Sequence, residues 1–270
     1  MKNKQNLHTH STYCDGKDTP ESTVLVAIER GFDSIGFSIH SKVSTSPNPI
    51  PIENYELFKA EIARLKEKYR GAIDIFCGVE QDLYSMTSAE GYDYTMGAVH
   101  YLYINGAPRI FDVKLDKTLE FINDYFDGDA MSFAKCYYET LSKAPEVYPF
   151  DIIAHFDILT KNNELCRFLD VDSKEYKNMA LEAVHALKGK IPFFEVNVGA
   201  MSRGYRTTPY PQIDILKELY KCGFGAVISS DCHDNTVLDC HFEAARDHLI
   251  EAGFKTRYIL TDNGFCEVEI

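Results

Sequence analysis

The chain has 270 residues, 45% of them hydrophobic, and a formal net charge of −13. That composition supplies a sizeable core and excludes a disordered chain, and the acidic balance argues against a protein that binds nucleic acid by neutralising phosphates with Lys and Arg. Eight cysteines without a Cys-x-x-Cys pair, no signal-like amino terminus and no apolar run of about 18 residues point to a cytoplasmic protein, not built on disulfides and not spanning a membrane, its oligomeric state left open.

Along the chain, short apolar runs alternate with longer amphipathic ones. The first predicted strand is "NLH" at 6–8. The helix that follows, over 19–31, has Thr19 as cap, Pro20 at its first position and Gly31 as stop. "SIGFSI" at 34–39 predicts the second strand, followed by a Pro-rich loop, "SPNPIPI" at 46–52, and a helix over 53–71. The third and fourth strands are "IDIFCGV" at 73–79 and "YTMGAV" at 94–99. Residues 101–150 read as an insertion within one domain, turn-rich at "YINGAPRIFD" and then helical through Tyr138 and beyond. Three more strands, "DIIA" at 151–154, "FFEVNV" at 193–198 and "GAVISS" at 225–230, alternate with helices over 173–189, 212–223 and 239–252. Seven strands separated by helices predict parallel βαβ units in an α/β barrel, closed or nearly so.

His8 and His10, one residue apart, project from one side of a strand; alone they fit a metal site or a polar turn equally. His40 follows the second predicted strand, Glu80 the third, His100 the fourth and His155 the fifth. Glu195 lies within the sixth, and Asp231 and His233 follow the seventh. The carboxyl ends of parallel strands share one face, where active sites assemble. Six of the nine histidines therefore meet at one rim. Nitrogen and oxygen donors in this number suit two or three divalent ions, zinc, manganese or iron, with a bridging carboxylate. His185 and His248 read as structural surface or half-buried histidines, and His241 as a candidate for the pocket lining. Cys14 and Cys232 read as small buried neighbours of the ligands.

"LHTHSTYCDG", "IGFSIH", "GVEQD", "GAVHYL", "IIAHFD" and "SSDCHD", in that order over residues 7–234, resemble the PHP superfamily, named for polymerase and histidinol phosphatase. "HFDILTK", "FEVNVGAMSRG" and the insertion after "GAVH" resemble in particular its monofunctional histidinol-phosphate phosphatases. The resemblance implies a distorted (β/α)7 barrel with a trinuclear metal site at the C-terminal ends of the strands. One ion would be held by His8, His10, Glu80 and Asp231. A second would be held by Glu80, His100 and His155, with Glu80 as the bridge, and a third by Asp15, His40 and His233. Asp15 stands where some relatives carry histidine, and "SI" precedes His40 where many carry an acidic residue.

The implied reaction is metal-dependent hydrolysis of a small phosphorylated substrate, histidinol phosphate, as a step of histidine synthesis. Water activated by the ions would attack phosphorus, with Glu80 and Asp231 catalytic and Asp231 assisting proton transfer to the leaving alkoxide. Lys161 and Arg203, each shortly after a predicted strand end, are candidates for phosphate contacts, and Asp157 and Glu195 for the substrate's amine or imidazole. The metal motifs allow a PHP phosphoesterase acting on a nucleotide, another small ester or phosphotyrosine. The acidic balance counts against a nuclease, and the completeness of the ligand set against a non-enzymatic binding protein on a relic barrel.

Overall fold

A computed structural model describes residues 3–47 and 49–270; Asn48, within the expected 46–52 loop, lies outside the described residues. The first half of the chain alternates β1 (Gln5–Asn6), α1 (Pro20–Glu29), β2 (Ser34–His40), α2 (Glu53–Lys68), β3 (Asp74–Asp82) and β4 (Tyr94–Ala98). The 101–150 segment forms a hairpin, β5 (Tyr101–Ile104) and β6 (Ala107–Ile110), then helices α3 (Leu115–Phe126) and α4 (Ala130–Val147). Alternation resumes with β7 (Ile152–Ile153), α5 (Lys174–Leu187), β8 (Phe193–Asn197), the short α6 (Gly199–Ser202), α7 (Ile213–Cys222), β9 (Gly225–Ser229) and α8 (Phe242–Ala252). Local chemistry sets the helix ends. Thr19 Oγ1 accepts the Ser22 N–H at 3.2 Å, and Gly31 takes the left-handed conformation (φ 68°) just past α1.

Seven strands form one parallel sheet in the order β1-β2-β3-β4-β7-β8-β9. The two edges meet at an isolated parallel bridge between Thr9 and Cys232, where His10 N–H donates to Cys232 O at 2.8 Å and Cys232 N–H to His8 O at 3.0 Å. The result is a nearly closed (β/α)7 barrel. β1 is shorter than the predicted 6–8 because the Asn6 side chain captures bonds that a ladder would use. Its Oδ1 accepts the backbone N–H of His8 at 3.1 Å and of Ser230 at 3.3 Å.

The strands bury both faces. Ile35, Phe37, Ile39, Ile75 and Val79 pack outward against the helices, while Leu7, Phe76, Tyr94, Met96, Ile152 and Val227 fill the barrel. Tyr94 occupies the space next to two glycines on neighbouring strands. A Cβ on Gly78 would lie 2.1 Å from Tyr94 Cζ, and one on Gly36 2.5 Å from its hydroxyl. The inserted helices join the outer layer, and Tyr138 on α4 meets Tyr176 on α5 hydroxyl to hydroxyl at 2.7 Å.

Beyond α8, where the sequence reading assigned no element, an antiparallel hairpin of β10 (Thr256–Thr261) and β11 (Gly264–Glu269) covers the amino-terminal end of the barrel. Gln5 fastens it, donating to Leu260 O and accepting the Leu260 N–H, both at 2.8 Å. Phe193 stacks between Tyr258 and Phe265, with ring centroids at 4.8 and 4.4 Å. With that end closed, the opposite end is where a ligand can enter. No helix among the described residues is long and apolar enough to cross a membrane.

Candidate metal centre and pocket

At the carboxyl ends of the strands, four donors from three elements face one another. His8 Nε2 lies 3.4 Å from Glu80 Oε2 and 3.6 Å from Asp231 Oδ1; His10 Nε2 lies 3.5 and 3.4 Å from the same two oxygens. Bonds of about 2.0–2.2 Å to a tetrahedral ion put neighbouring nitrogen and oxygen donors about 3.3–3.6 Å apart. Each histidine–carboxylate pair therefore has the spacing of neighbouring metal ligands. Among the described residues, no well-formed hydrogen bond satisfies His8 Nε2 or His10 Nε2, although both are buried. A buried nitrogen left without a partner is costly unless something else takes its lone pair.

Glu80 extends the cluster in two directions. Its Oε1 meets His155 Nε2 at 2.9 Å and His100 Nε2 at 3.4 Å, and its Oε2 meets His40 Nδ1 at 2.8 Å. On the outer side, Asp15 Oδ2 lies 3.4 Å from His40 Nε2 and 3.3 Å from His233 Nε2. The His10 ring sits between those of His40 and His233, 4.2 Å from each. Asp15 reaches this position because the 11–16 turn is tight: Cys14 and Gly16 N–H both donate to Ser11 O, and a Cβ on Gly16 would lie 2.4 Å from Ser11 N. The structure brings all nine residues expected from the sequence to one rim, but the donors within mutual reach group differently from the expectation: His10 with Asp15, His40 and His233, His8 with Glu80 and His155, and His8 with His10 and Asp231.

The electrostatics favour cations here. Burial opposes charge on Glu80 and Asp231, but His40, His8 and His100 around Glu80, and Arg203 and His8 beside Asp231, outweigh it and hold both carboxyls well below the usual range. Burial likewise disfavours a proton on His8, yet Glu195, Glu80 and Asp231 hold its pKa well above the ordinary value. His10, desolvated and facing His233 and His40, is pushed down to about 3 and keeps a free lone pair. Ionised carboxylates beside imidazoles attract either protons or metal ions, so the two compete for the site.

A second layer fixes these donors. Glu195 Oε1 accepts from His8 Nδ1 at 2.7 Å and from Ser229 Oγ; Oε2 accepts from the His155 N–H at 2.7 Å and Asn197 Nδ2 at 2.8 Å. Asp82 accepts the His100 N–H at 2.8 Å. Two strand ends turn with positive φ at the residues that carry donors, 23° at His155 and 47° at Asp231. The Glu195 bond braces the first. Arg203 braces the second, donating to Asp231 O at 2.9 Å and Asp231 Oδ2 at 2.8 Å. Gly199 makes that grip possible, because a Cβ there would lie 2.7 Å from Ser230 O and 2.9 Å from Asp231 Cβ.

The cluster opens into a cavity of about 410 Å³. Arg203 and Lys161, the cations expected to meet phosphate, line its wall, and Lys161 pairs with Asp112. Glu195 and Asp157 were expected to meet the substrate's amine or imidazole, but both are fully buried and neither lines the cavity. Glu195 lies under His8. Asp157 accepts the Gln212 N–H at 3.0 Å and faces the buried Arg206 at 3.8 Å. His241 also lies off the cavity, at the start of α8. Cys14 sits beside His10, its Sγ 3.5 Å from Nδ1, and the buried Cys232 gives its S–H to Asp234 O. Sequence reasoning missed the carboxylates on the wall, Asp82 and Asp112. Asp82 had a signal: in "GVEQD" it stands two residues after Glu80, on the same face of β3. Asp112 had none, since the insertion delivers it.

Comparison with known proteins agrees with this fold. The sequence matches the PHP domain family over residues 6–199. It is 24% identical over 261 residues to a Deinococcus radiodurans protein named "Probable histidinol-phosphatase", covering 92% of this chain and 94% of that one. It is 22% identical to the histidinol-phosphatase of Bacillus subtilis, over 89% of this chain and 97% of the relative. Among solved structures, the Lactococcus lactis histidinol phosphate phosphatase complexed with zinc, L-histidinol and phosphate superposes with a TM-score of 0.74, at 17% identity, covering 98% of this chain and 99% of that one. A nearly closed barrel of seven parallel strands, a histidine-rich rim and a family match over most of the chain lead to one conclusion: this chain belongs to the PHP domain family.

Proposed function

We propose that this protein is a metal-dependent phosphoric monoester hydrolase that converts L-histidinol phosphate to L-histidinol and inorganic phosphate. The observation that carries this reading is the set of His8, His10, Glu80 and Asp231, each imidazole at metal-ligand spacing from both carboxylates, with Glu80 and Asp231 lining a small cavity beside Arg203 and Lys161. The whole-length likeness to proteins named histidinol-phosphatase supports the substrate.

His8, His10, Glu80 and Asp231 would hold one divalent ion, Glu80, His100 and His155 a second, and Asp15, His40 and His233 a third. When bound, such ions neutralise phosphoryl oxygens and lower the pKa of water enough to make it a nucleophile near neutral pH. The chain's own residues do the rest. Arg203 and Lys161 take phosphoryl oxygens and aim the ester. Water attacks phosphorus in line with the breaking P–O bond. Asp231, ionised beside Arg203, passes the proton released by the water to the leaving alkoxide, and the remaining hydroxyl stays on phosphate. Val43, Tyr101, Ile110, Ile158 and Tyr205 give the cavity an apolar and aromatic side, and Asp82 and Asp112 an acidic one. That wall suits an imidazole and an ammonium group.

The test is kcat/KM on a panel of phosphate monoesters including histidinol phosphate, nucleotides and phosphotyrosine, with purified metal-loaded protein. Histidinol phosphate is expected to rank first. A nucleotide or phosphotyrosine ranking above it would overturn the substrate, and full activity of Glu80→Ala or Asp231→Ala would overturn the mechanism.

A further inference from the structure

On the opposite side of the barrel, two helix ends bring three donors of different kinds together. Each barrel helix runs back from the rim, so α5 and α7 both end near the starts of the strands that follow them, β8 and β9. His185 lies in the last turn of α5, and Cys222 is the last residue of α7. Glu218 stands four residues before Cys222, on the same helical face. Cys222 Sγ is 3.6 Å from His185 Nδ1, and Glu218 Oε1 is 3.2 Å from His185 Nε2. One nitrogen of His185, the thiol sulfur and one carboxylate oxygen all lie within 4.8 Å of one another.

From these contacts we infer a second, peripheral metal site, His185–Glu218–Cys222, for a single borderline-soft divalent cation of the zinc class. A tetrahedral ion with bonds of about 2.3 Å to sulfur and about 2.05 Å to nitrogen holds those two atoms about 3.6 Å apart, the separation of Cys222 Sγ from His185 Nδ1; Glu218 Oε1, which faces the other ring nitrogen, gives up that contact and turns to the ion when it binds. Thiolate, imidazole and carboxylate together select zinc-like ions over magnesium or calcium, which favour oxygen donors. Both helix C-termini add negative partial charge where the ion would sit. Lys221 occupies Glu218 Oε2 at 3.0 Å and leaves Oε1 turned to His185. His185 is 56% exposed on its side chain, so the fourth position is open to water and the ion is exchangeable. Binding releases the thiol proton to solvent and ties α5 to α7. Because it favours the folded state alone, it raises stability with ion concentration.

Cadmium is the probe, since its thiolate complex absorbs in the near ultraviolet. Protein with its rim already loaded is titrated with cadmium in wild type, Cys222→Ser, His185→Ala and, as a control thiol, Cys266→Ser, with Tm and histidinol-phosphatase activity followed in parallel. The expected result is one further equivalent in wild type and Cys266→Ser, with a thiolate band and a raised Tm. Affinity should fall at least tenfold and the band should vanish in Cys222→Ser, while His185→Ala weakens binding with Cys222 intact. Activity is expected to stay unchanged in all four proteins. An undiminished band and stoichiometry in Cys222→Ser and His185→Ala, or no further equivalent in wild type, would overturn the site. Because the readout is the extra equivalent and not turnover, failure here leaves the proposed reaction at the rim untouched.

Discussion

Glu195→Gln removes one negative charge and almost no volume, yet it should disable the first metal position through the proton on His8. Two partners of Glu195 can only donate. One is the His155 backbone N–H at 2.7 Å. The other is Asn197 Nδ2 at 2.8 Å, whose amide cannot turn because Asn197 Oδ1 accepts the Gly199 N–H at 2.8 Å. The glutamine oxygen must therefore face those two, and its NH2 must face His8 Nδ1 and Ser229 Oγ. A serine hydroxyl rotates to accept. His8 can accept on Nδ1 only by moving its proton to Nε2, the atom that faces Glu80 Oε2 and Asp231 Oδ1. A protonated Nε2 has no lone pair for an ion. Substitutions of groups that orient metal-binding histidines cost about 10–100-fold in metal affinity or activity, equivalent to about 1.4–2.7 kcal/mol. Ser229→Ala removes a single donor and should cost far less. Metal content after dialysis against a chelator, kcat/KM and nitrogen NMR of labelled histidine measure, respectively, the loss, its consequence and the tautomer. A Glu195→Gln protein with wild-type metal affinity and His8 still protonated on Nδ1 would refute this reasoning.

Three further outcomes are expected. Lys161→Met should raise KM for the phosphate ester and weaken inhibition by orthophosphate by roughly 10–100-fold, the equivalent of one charge-assisted hydrogen bond of about 1.5–3 kcal/mol, with metal content intact; an unchanged KM removes Lys161 from substrate binding. Burial raises the Asp112 pKa, but Lys161 and His100 outweigh it and hold the carboxyl below its ordinary value. The folded chain therefore binds that proton less tightly than the unfolded one, and the stabilisation is present above about pH 4 and lost as pH falls through the depressed value. The stability gap between wild type and Asp112→Asn, read from denaturant midpoints, should narrow on acidification; a gap that widens contradicts the pairing. Gly78→Ala places a methyl 2.1 Å from Tyr94 Cζ and should destabilise by at least about 1–3 kcal/mol, the usual cost of overpacking a core; an unchanged Tm would mean that Tyr94 is free to move.

The alternation of "SIGFSI", "IDIFCGV", "YTMGAV" and "FFEVNV" with capped amphipathic helices was enough to read a parallel barrel, because each signal is local. Side-chain period, caps and turn residues lie within a few positions of one another. The donors could be assigned to the rim for the same reason: a residue that follows a strand in a parallel barrel has one place to go. The hairpin at 256–269 was legible in principle from the "TDNG" turn between two alternating runs, though only packing shows that it closes the barrel end through Gln5 and Leu260. What Glu195 and Asp157 do could not be read. Asp157, two residues past His155, follows the pattern of a rim carboxylate and Glu195 lies inside its strand, and a one-step difference in depth decides whether such a group meets a ligand or supports a histidine. That depth depends on how far each strand extends before it turns. The same holds for Asp112 and for the His185–Glu218–Cys222 cluster, whose members arrive from separate segments. Sequence determined the elements and the kinds of donor they carry. Tertiary structure alone decided which donors touch, because the contacts form between strands and helices whose register is set by packing across the barrel.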